Sequence, residues 1–104
     1  MSDAVITWEL VNPEGASTPV SVRPAKRPPA LQGKTVGLAW NGKPGGDEAL
    51  DEIAALLGQR VGGIRFIRYW DVLPESVSQR ELSDVVIHKM AACQPDVVIV
   101  SQAD

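Results

Sequence analysis

Asn41 and Lys43 stand two residues apart in the stretch Trp40-Asn41-Gly42-Lys43-Pro44-Gly45-Gly46, a hydrogen-bonding amide and a cation in a turn whose glycines permit close approach to the backbone. Such a pair can orient or neutralise a small anionic or carbonyl-bearing molecule. The turn follows the apolar run Thr35–Trp40 and leads into a helical pattern, which is the order of parts in a phosphate loop. Its details differ from one. A Walker loop needs Ser or Thr after Gly-Lys, whereas Pro44 follows Lys43 and removes a backbone donor. No G-x-G-x-x-G fingerprint is present, and Asp47, Glu48, Asp51 and Glu52 crowd the helix start, where they suit the helix dipole but repel a phosphate. The alternative to a small-ligand site is a glycine-rich turn that binds nothing.

The other chemical candidates are sparser. Cys93 is the single cysteine, so the chain holds no disulfide, no CxxC pair and no thiolate-rich metal site, and its place on an apolar helical stripe suits a small buried hydrophobe. His88, also single, falls on a helix flank and has no second histidine with which to build a metal site. Asp71 follows Arg68-Tyr69-Trp70 and suits a turn. Trp40 and Trp70 either wall a pocket or pack against a partner. Ser101 has no nearby base and no flanking nucleophile-elbow glycines, which argues against hydrolase chemistry. No motif for a cofactor or metal is recognisable, and the cofactor stays unknown.

What positions these residues is a regular pattern that begins near residue 33. Thr35–Trp40 reads as a strand buried on both faces of a parallel sheet. Leu50, Ile53, Ala54 and Leu57 then recur at helical spacing, with Gly58 as the expected stop. Residues 63–70, GIRFIRYW, read as a second strand, and Arg65 and Arg68 place it at a sheet edge with one face in water. Ser78-Gln79-Arg80-Glu81 has capping-box spacing and opens a helix carrying Leu82, Val85, Val86, Met90 and Cys93 on one side. Pro95 blocks its continuation, and Val97–Val100 supply a β-branched third strand. The resulting β-α-β-α-β order, with right-handed crossovers, predicts a small three-stranded parallel α/β half-sheet of Rossmann or flavodoxin-like type, strand order 2-1-3. Ligands in such sheets sit beyond the carboxyl ends of the strands where strand order reverses. That point is bordered by Trp40, Asn41, Gly42 and Lys43 on one side and by Ser101, Gln102, Ala103 and Asp104 on the other.

Residues 1–32 form a different region. Residues 4–11 have strand-like composition and lead to a turn at Asn12-Pro13-Glu14-Gly15. Pro13, Pro19, Pro24, Pro28 and Pro29 then rule out a central strand and predict an extended arm, which Trp8, Val20 and Val22 could dock; a disordered linker is the alternative. With 104 residues, 44% of them hydrophobic, the chain makes at most one small domain. A net charge of −3 with scattered basic residues argues against nucleic acid as a partner. No apolar run approaches the roughly 20 residues of a membrane span and no leader pattern opens the chain, so a cytoplasmic location with no membrane partner is expected. The third strand is the most apolar, and the sequence stops four residues beyond Val100, so a second polypeptide is expected to continue the sheet there.

Three stretches, VNPEG, RPPALQGKTVGLAWNGKPGGDEALDEIAALL and QPDVVIVSQAD, resemble the UGSC-like family over nearly the whole chain. In that family a similar Asn-Pro turn leads through a proline-rich arm to a Gly-Lys-x-Val-Gly-Leu strand and an Asn-x-Lys-Pro turn. The strand matching Val97–Val100 is followed there by a Cys (or selenocysteine)-Gly-Ser-Cys motif, which implies thiol chemistry at the carboxyl edge of the sheet. This sequence ends at Asp104, where that motif would begin, so only Asn41, Lys43, Pro44 and the Ser101–Asp104 approach carry over. The resemblance implies the N-terminal half, or small subunit, of a heteromeric enzyme of oxidoreductase or lyase type. Asn41 and Lys43 would act on a small-molecule substrate, Trp40, Gly42, Ser101, Gln102 and Asp104 would line its site, and a partner subunit would supply the thiol. The alternatives are a non-catalytic interaction or regulatory subunit that clasps a partner by strand addition, and a flavodoxin-like nucleotide binder.

Overall fold

The computed structural model describes residues 7, 9–11, 15 and 19–101. Its centre is strand β1 (Thr35–Trp40), whose four middle residues are buried. It pairs in parallel with β2 (Arg65–Arg68) on one side and with β3 (Val97–Ser101) on the other, giving the order β2-β1-β3 that the sequence predicts. Helix α1 (Gly46–Arg60) covers one face: Leu50 is wholly buried against Val36 and Leu38, with Trp40, Ala54, Phe66 and Ile99 packed around them. The opposite face meets a one-turn helix α2 (Tyr69–Val72), a 3₁₀ turn (Pro74–Ser76) and helix α3 (Asp84–Ala92).

Tyr69 is the key to that second face. Side chains alternate along a strand, so Gly37 lies opposite the α1 side. A Cβ there would stand 2.6 Å from Tyr69 Cε2, so the missing side chain makes the slot that the ring fills. The ring is fully buried, and its hydroxyl donates to the Met90 carbonyl of α3 at 2.8 Å. One aromatic residue therefore ties β1, α2 and α3 together.

Four local expectations are corrected. Strand β2 stops at Arg68, because burying Tyr69 over Gly37 requires the chain to coil there, and this outweighs the strand propensity of Tyr69 and Trp70. Helix α1 runs through Gly58 to Arg60: a glycine inside a helix costs only about 1 kcal/mol, less than the packing of the helix's apolar stripe contributes. Ile53 sits on the margin of the stripe at 37% exposure. Helix α3 is capped by Ser83, which accepts from the Val86 N–H, while Ser78 instead accepts from the Arg80 N–H in a local turn. Residues 78–81 thus belong to a loop rather than a helix start. Of the proposed strand at 4–11, the described Thr7, Glu9, Leu10 and Val11 are not in a strand, since no neighbour pairs with them; the rest, with Trp8 and Asn12-Pro13-Glu14, lies outside the described residues.

The arm from Pro19 to Ala30 has neither helix nor strand and is almost entirely exposed. Arg65 and Arg68 of β2 are exposed as expected of an edge. The other edge differs in kind. Val97, Ile99 and Ser101 of β3 are half-buried on the α1 side, but Val98 and Val100 on the other face are 41% and 61% exposed, and among the described residues β3 pairs only with β1. No helix among the described residues is long and apolar enough to cross a membrane.

Candidate functional site

The turn after β1 is built to hold its shape. Asn41 Oδ1 accepts from the Lys43 N–H at 3.1 Å, closing an Asx-type turn that Gly42 completes at φ 88°. The Lys43 carbonyl accepts from the Trp40 indole at 2.7 Å and from the Gly46 N–H at 3.3 Å. Gly45, at φ 90°, then starts α1 with no side-chain cap, and Gly46 is wedged beneath Trp40 and Ser101, where a Cβ would lie 2.6 Å from Trp40 Cδ1 and 2.8 Å from Ser101 Oγ. Asp47 and Glu48 fill the first turn, which is unfavourable for a phosphate.

Beyond the carboxyl ends of β1 and β3, on the face away from α1, lies a half-open cleft of about 170 Å³ lined by Ala39, Trp40, Asn41, Ser76, Ser78, Arg80, Leu82 and Val100. Ala39 and Val100 are register partners and form its apolar floor. The loop between the 3₁₀ turn and α3 forms its opposite wall. Ser76 is buried and donates to the Tyr69 carbonyl at 3.3 Å, which anchors the start of this wall. Lys89 of α3 pairs with Glu75 at 3.2 Å and pins the same turn from outside. A hydrogen bond from its own backbone N–H, reinforced by Lys89, holds the Glu75 carboxyl below the usual carboxylate range.

Of the residues expected at the site, Trp40 and Asn41 line this cleft, Gly42 makes its turn, and Lys43 lends its backbone rather than lining the space. Ser101 faces Gly46 and Trp40 on the α1 side. Gln102, Ala103 and Asp104 lie outside the described residues. The sequence reading missed Arg80, Ser76 and Ser78, because the Ser78-to-Glu81 spacing suggested a capping box. Two serines and an arginine between a Pro-Glu turn and a better cap at Ser83 were the available signal.

The remaining candidates sit elsewhere. Trp70 meets Trp40 edge to face at 6.1 Å between centroids, and the Arg68 guanidinium lies 4.9 Å over the Trp70 ring while pairing with Asp51 and Asp71. Asp71 is therefore held by an ion pair on the outer surface. His88 is exposed, with Nδ1 2.6 Å from the Asp84 carbonyl. Cys93 is half-buried, its Sγ 3.6 Å from the Lys89 carbonyl. Burial, and secondarily the neighbouring Cys93, raises the Tyr69 phenol above its ordinary value. Among the described residues no cluster of His, Cys, Asp and Glu is placed to hold a metal ion.

The cleft thus offers an amide, a hydroxyl and a guanidinium above an apolar floor, at the switch point of an open parallel sheet. In comparison with known proteins, a family model described as the UGSC family matches residues 9–104. No curated protein and no solved structure matches the chain.

Proposed function

Because the chain belongs to the UGSC family, we propose that it is the small subunit of a heteromeric enzyme and contributes the binding half of a site for a small anionic or carbonyl-bearing substrate. The observation that carries this reading is the cleft at the carboxyl ends of β1 and β3, with Asn41 on its rim. The Asn41 side-chain oxygen is occupied by the turn, which leaves its NH₂ group to donate. Lys43 stands two residues on in the same turn, where its carbonyl accepts from the Trp40 indole. Ser101 ends β3 on the α1 side, and Gln102 and Asp104 follow it in the sequence as further candidates for substrate contact.

The family's Cys-Gly-Ser-Cys motif, which follows the strand equivalent to β3, would bring a thiolate to the same place. On this reading the motif resides on a partner subunit that adds its own strand along β3. The exposure of Val98 and Val100 supports such an addition, since uncovered apolar strand surface at a sheet edge invites pairing. A second reading, a non-catalytic subunit that clasps its partner, draws on a groove of about 460 Å³ between Pro24–Pro28 of the arm and Pro95–Val98, on the outer side of β3.

The test is co-purification from the protein's own source. Wild-type chain is expected to bring down a polypeptide bearing the Cys-Gly-Ser-Cys motif, and Val98→Lys, which places a charge on the exposed face of β3, is expected to lose it while keeping its fold. Retention of the partner by Val98→Lys, or recovery of no motif-bearing polypeptide, would contradict the reading. Lys43→Ala separates the two roles: loss of turnover with the assembly intact indicates a catalytic subunit, and unchanged turnover indicates a clasp.

A further inference from the structure

We infer that Arg80 is the anion anchor of the cleft and that the ligand is a small monocarboxylate with a short apolar tail. This deepens the reading above and rests on it. Arg80 lines the cleft from the loop between the 3₁₀ turn and α3, and Asn41 lines it from the turn after β1. Among the described residues no ion pair or side-chain hydrogen bond engages the Arg80 guanidinium, so it keeps its fork of donors for a ligand. The Ser78 hydroxyl accepts from the Arg80 backbone N–H, which leaves its proton to donate, and Asn41, whose Oδ1 is taken by the turn, lines the same cleft with its NH₂ group left to donate. Three donor-bearing residues thus border the space, and no carboxylate lines it among the described residues.

The chemistry selects a carboxylate. A guanidinium matches the two oxygens of a planar carboxylate in a bidentate pair. Among the described lining residues Arg80 is the one cation, which balances the single charge of a carboxylate better than the two charges of a phosphate dianion. Ala39, Leu82 and Val100 provide a surface for a short aliphatic chain. Size gives the same answer: a cleft of about 170 Å³ is well below the roughly 300–1,000 Å³ of sites for drug-sized ligands and close to the roughly 150 Å³ that holds a benzene-sized molecule.

The experiment is amide NMR on the ¹⁵N-labelled full chain, in whatever assembly it is isolated, titrated with butyrate, butyramide and inorganic phosphate. Butyrate is expected to shift the amides of Asn41, Ser78 and Arg80, and Arg80→Ala is expected to weaken it about 10- to 100-fold, as loss of a charge-assisted pair does. Arg80→Lys, which keeps the charge without the fork, is expected to fall between. Because Arg80 is exposed, its removal leaves the rest of the spectrum in place, which verifies the fold. Butyramide binding the same amides equally well in wild type and Arg80→Ala would overturn the carboxylate inference while leaving the small-ligand site standing. Tighter binding of phosphate than of butyrate would overturn it as well. If none of the three probes moves these amides, both the inference and the underlying site fall.

Discussion

Replacing Gly37 with alanine gives opposite signs by two lines of reasoning, and the structure decides between them. By propensity alone, glycine inside a strand costs about 0.5–1 kcal/mol relative to alanine, so the substitution should stabilise. In the structure the new Cβ would stand 2.6 Å from Tyr69 Cε2 and 3.2 Å from Cζ and the hydroxyl oxygen, where carbon atoms prefer about 3.5–4.0 Å. Tyr69 has little freedom to retreat. Its hydroxyl is bonded to Met90, its backbone carbonyl accepts from Ser76, and its side chain is wholly buried. Overpacking of this kind costs about 1–3 kcal/mol, and displacing the phenol from Met90 adds about 0.5–1.5 kcal/mol. The net expectation is a loss of about 2 kcal/mol, against a total stability of roughly 5–15 kcal/mol for a chain of this length. Urea denaturation followed by tryptophan fluorescence measures the free energy, and a 2 kcal/mol loss lowers Tm by about 8–16 °C in a domain this small. In a Tyr69→Phe background most of the loss should persist, because the closest contact is with the ring and not the hydroxyl. Unchanged or increased stability of Gly37→Ala would refute the ring-in-slot packing.

Other consequences follow from the same contacts. Tyr69 is the single tyrosine, so phenolate absorbance titrates one known group, and its midpoint should lie above 10.0. Since burial favours the neutral phenol in the folded state, that contribution to stability is complete below pH 10.0 and is lost as pH rises through the raised value; a midpoint at or below 10.0 would contradict the burial. Ser83→Ala should lose about 1 kcal/mol by removing the cap of α3, and Ser78→Ala should leave the helix intact, as thermal melts followed by circular dichroism will show. Arg68→Ala should change stability by no more than about 1 kcal/mol, and the change should shrink in high salt, because Arg68 and both its carboxylate partners are about half exposed.

The long-range order of the sheet was legible because it depends on strong, redundant signals. The apolar run of β1, the stripe through Leu50, Ala54 and Leu57, and the β-branched run of β3 each fix an element independently of its neighbours. The misreadings lie where a tertiary contact decides. Tyr69 and Trp70 have strand composition, yet the slot above Gly37 draws Tyr69 into a helical turn. Gly58 looks like a helix stop, yet the packing of α1 on the sheet outweighs the cost of about 1 kcal/mol for a glycine inside a helix, and the helix passes through it. Ser78 and Ser83 both precede plausible first turns, and the spacing to Glu81 favoured the wrong one. That last error also hid one wall of the cleft, because the loop that was read as helix carries Ser78 and Arg80. The position of Asn41 beside the cleft was legible, since a residue just after a central strand falls at the switch point whatever the loop opposite does.

The central claim, that this chain forms one half of a site completed by a second polypeptide along β3, is tested most directly by native and denaturing mass spectrometry of the protein isolated from its own source. The account predicts a stable complex that separates on denaturation into this chain and a second one carrying the Cys-Gly-Ser-Cys motif. Recovery of this chain alone at native mass, or of the motif on the same polypeptide as β1 and β3, would contradict it.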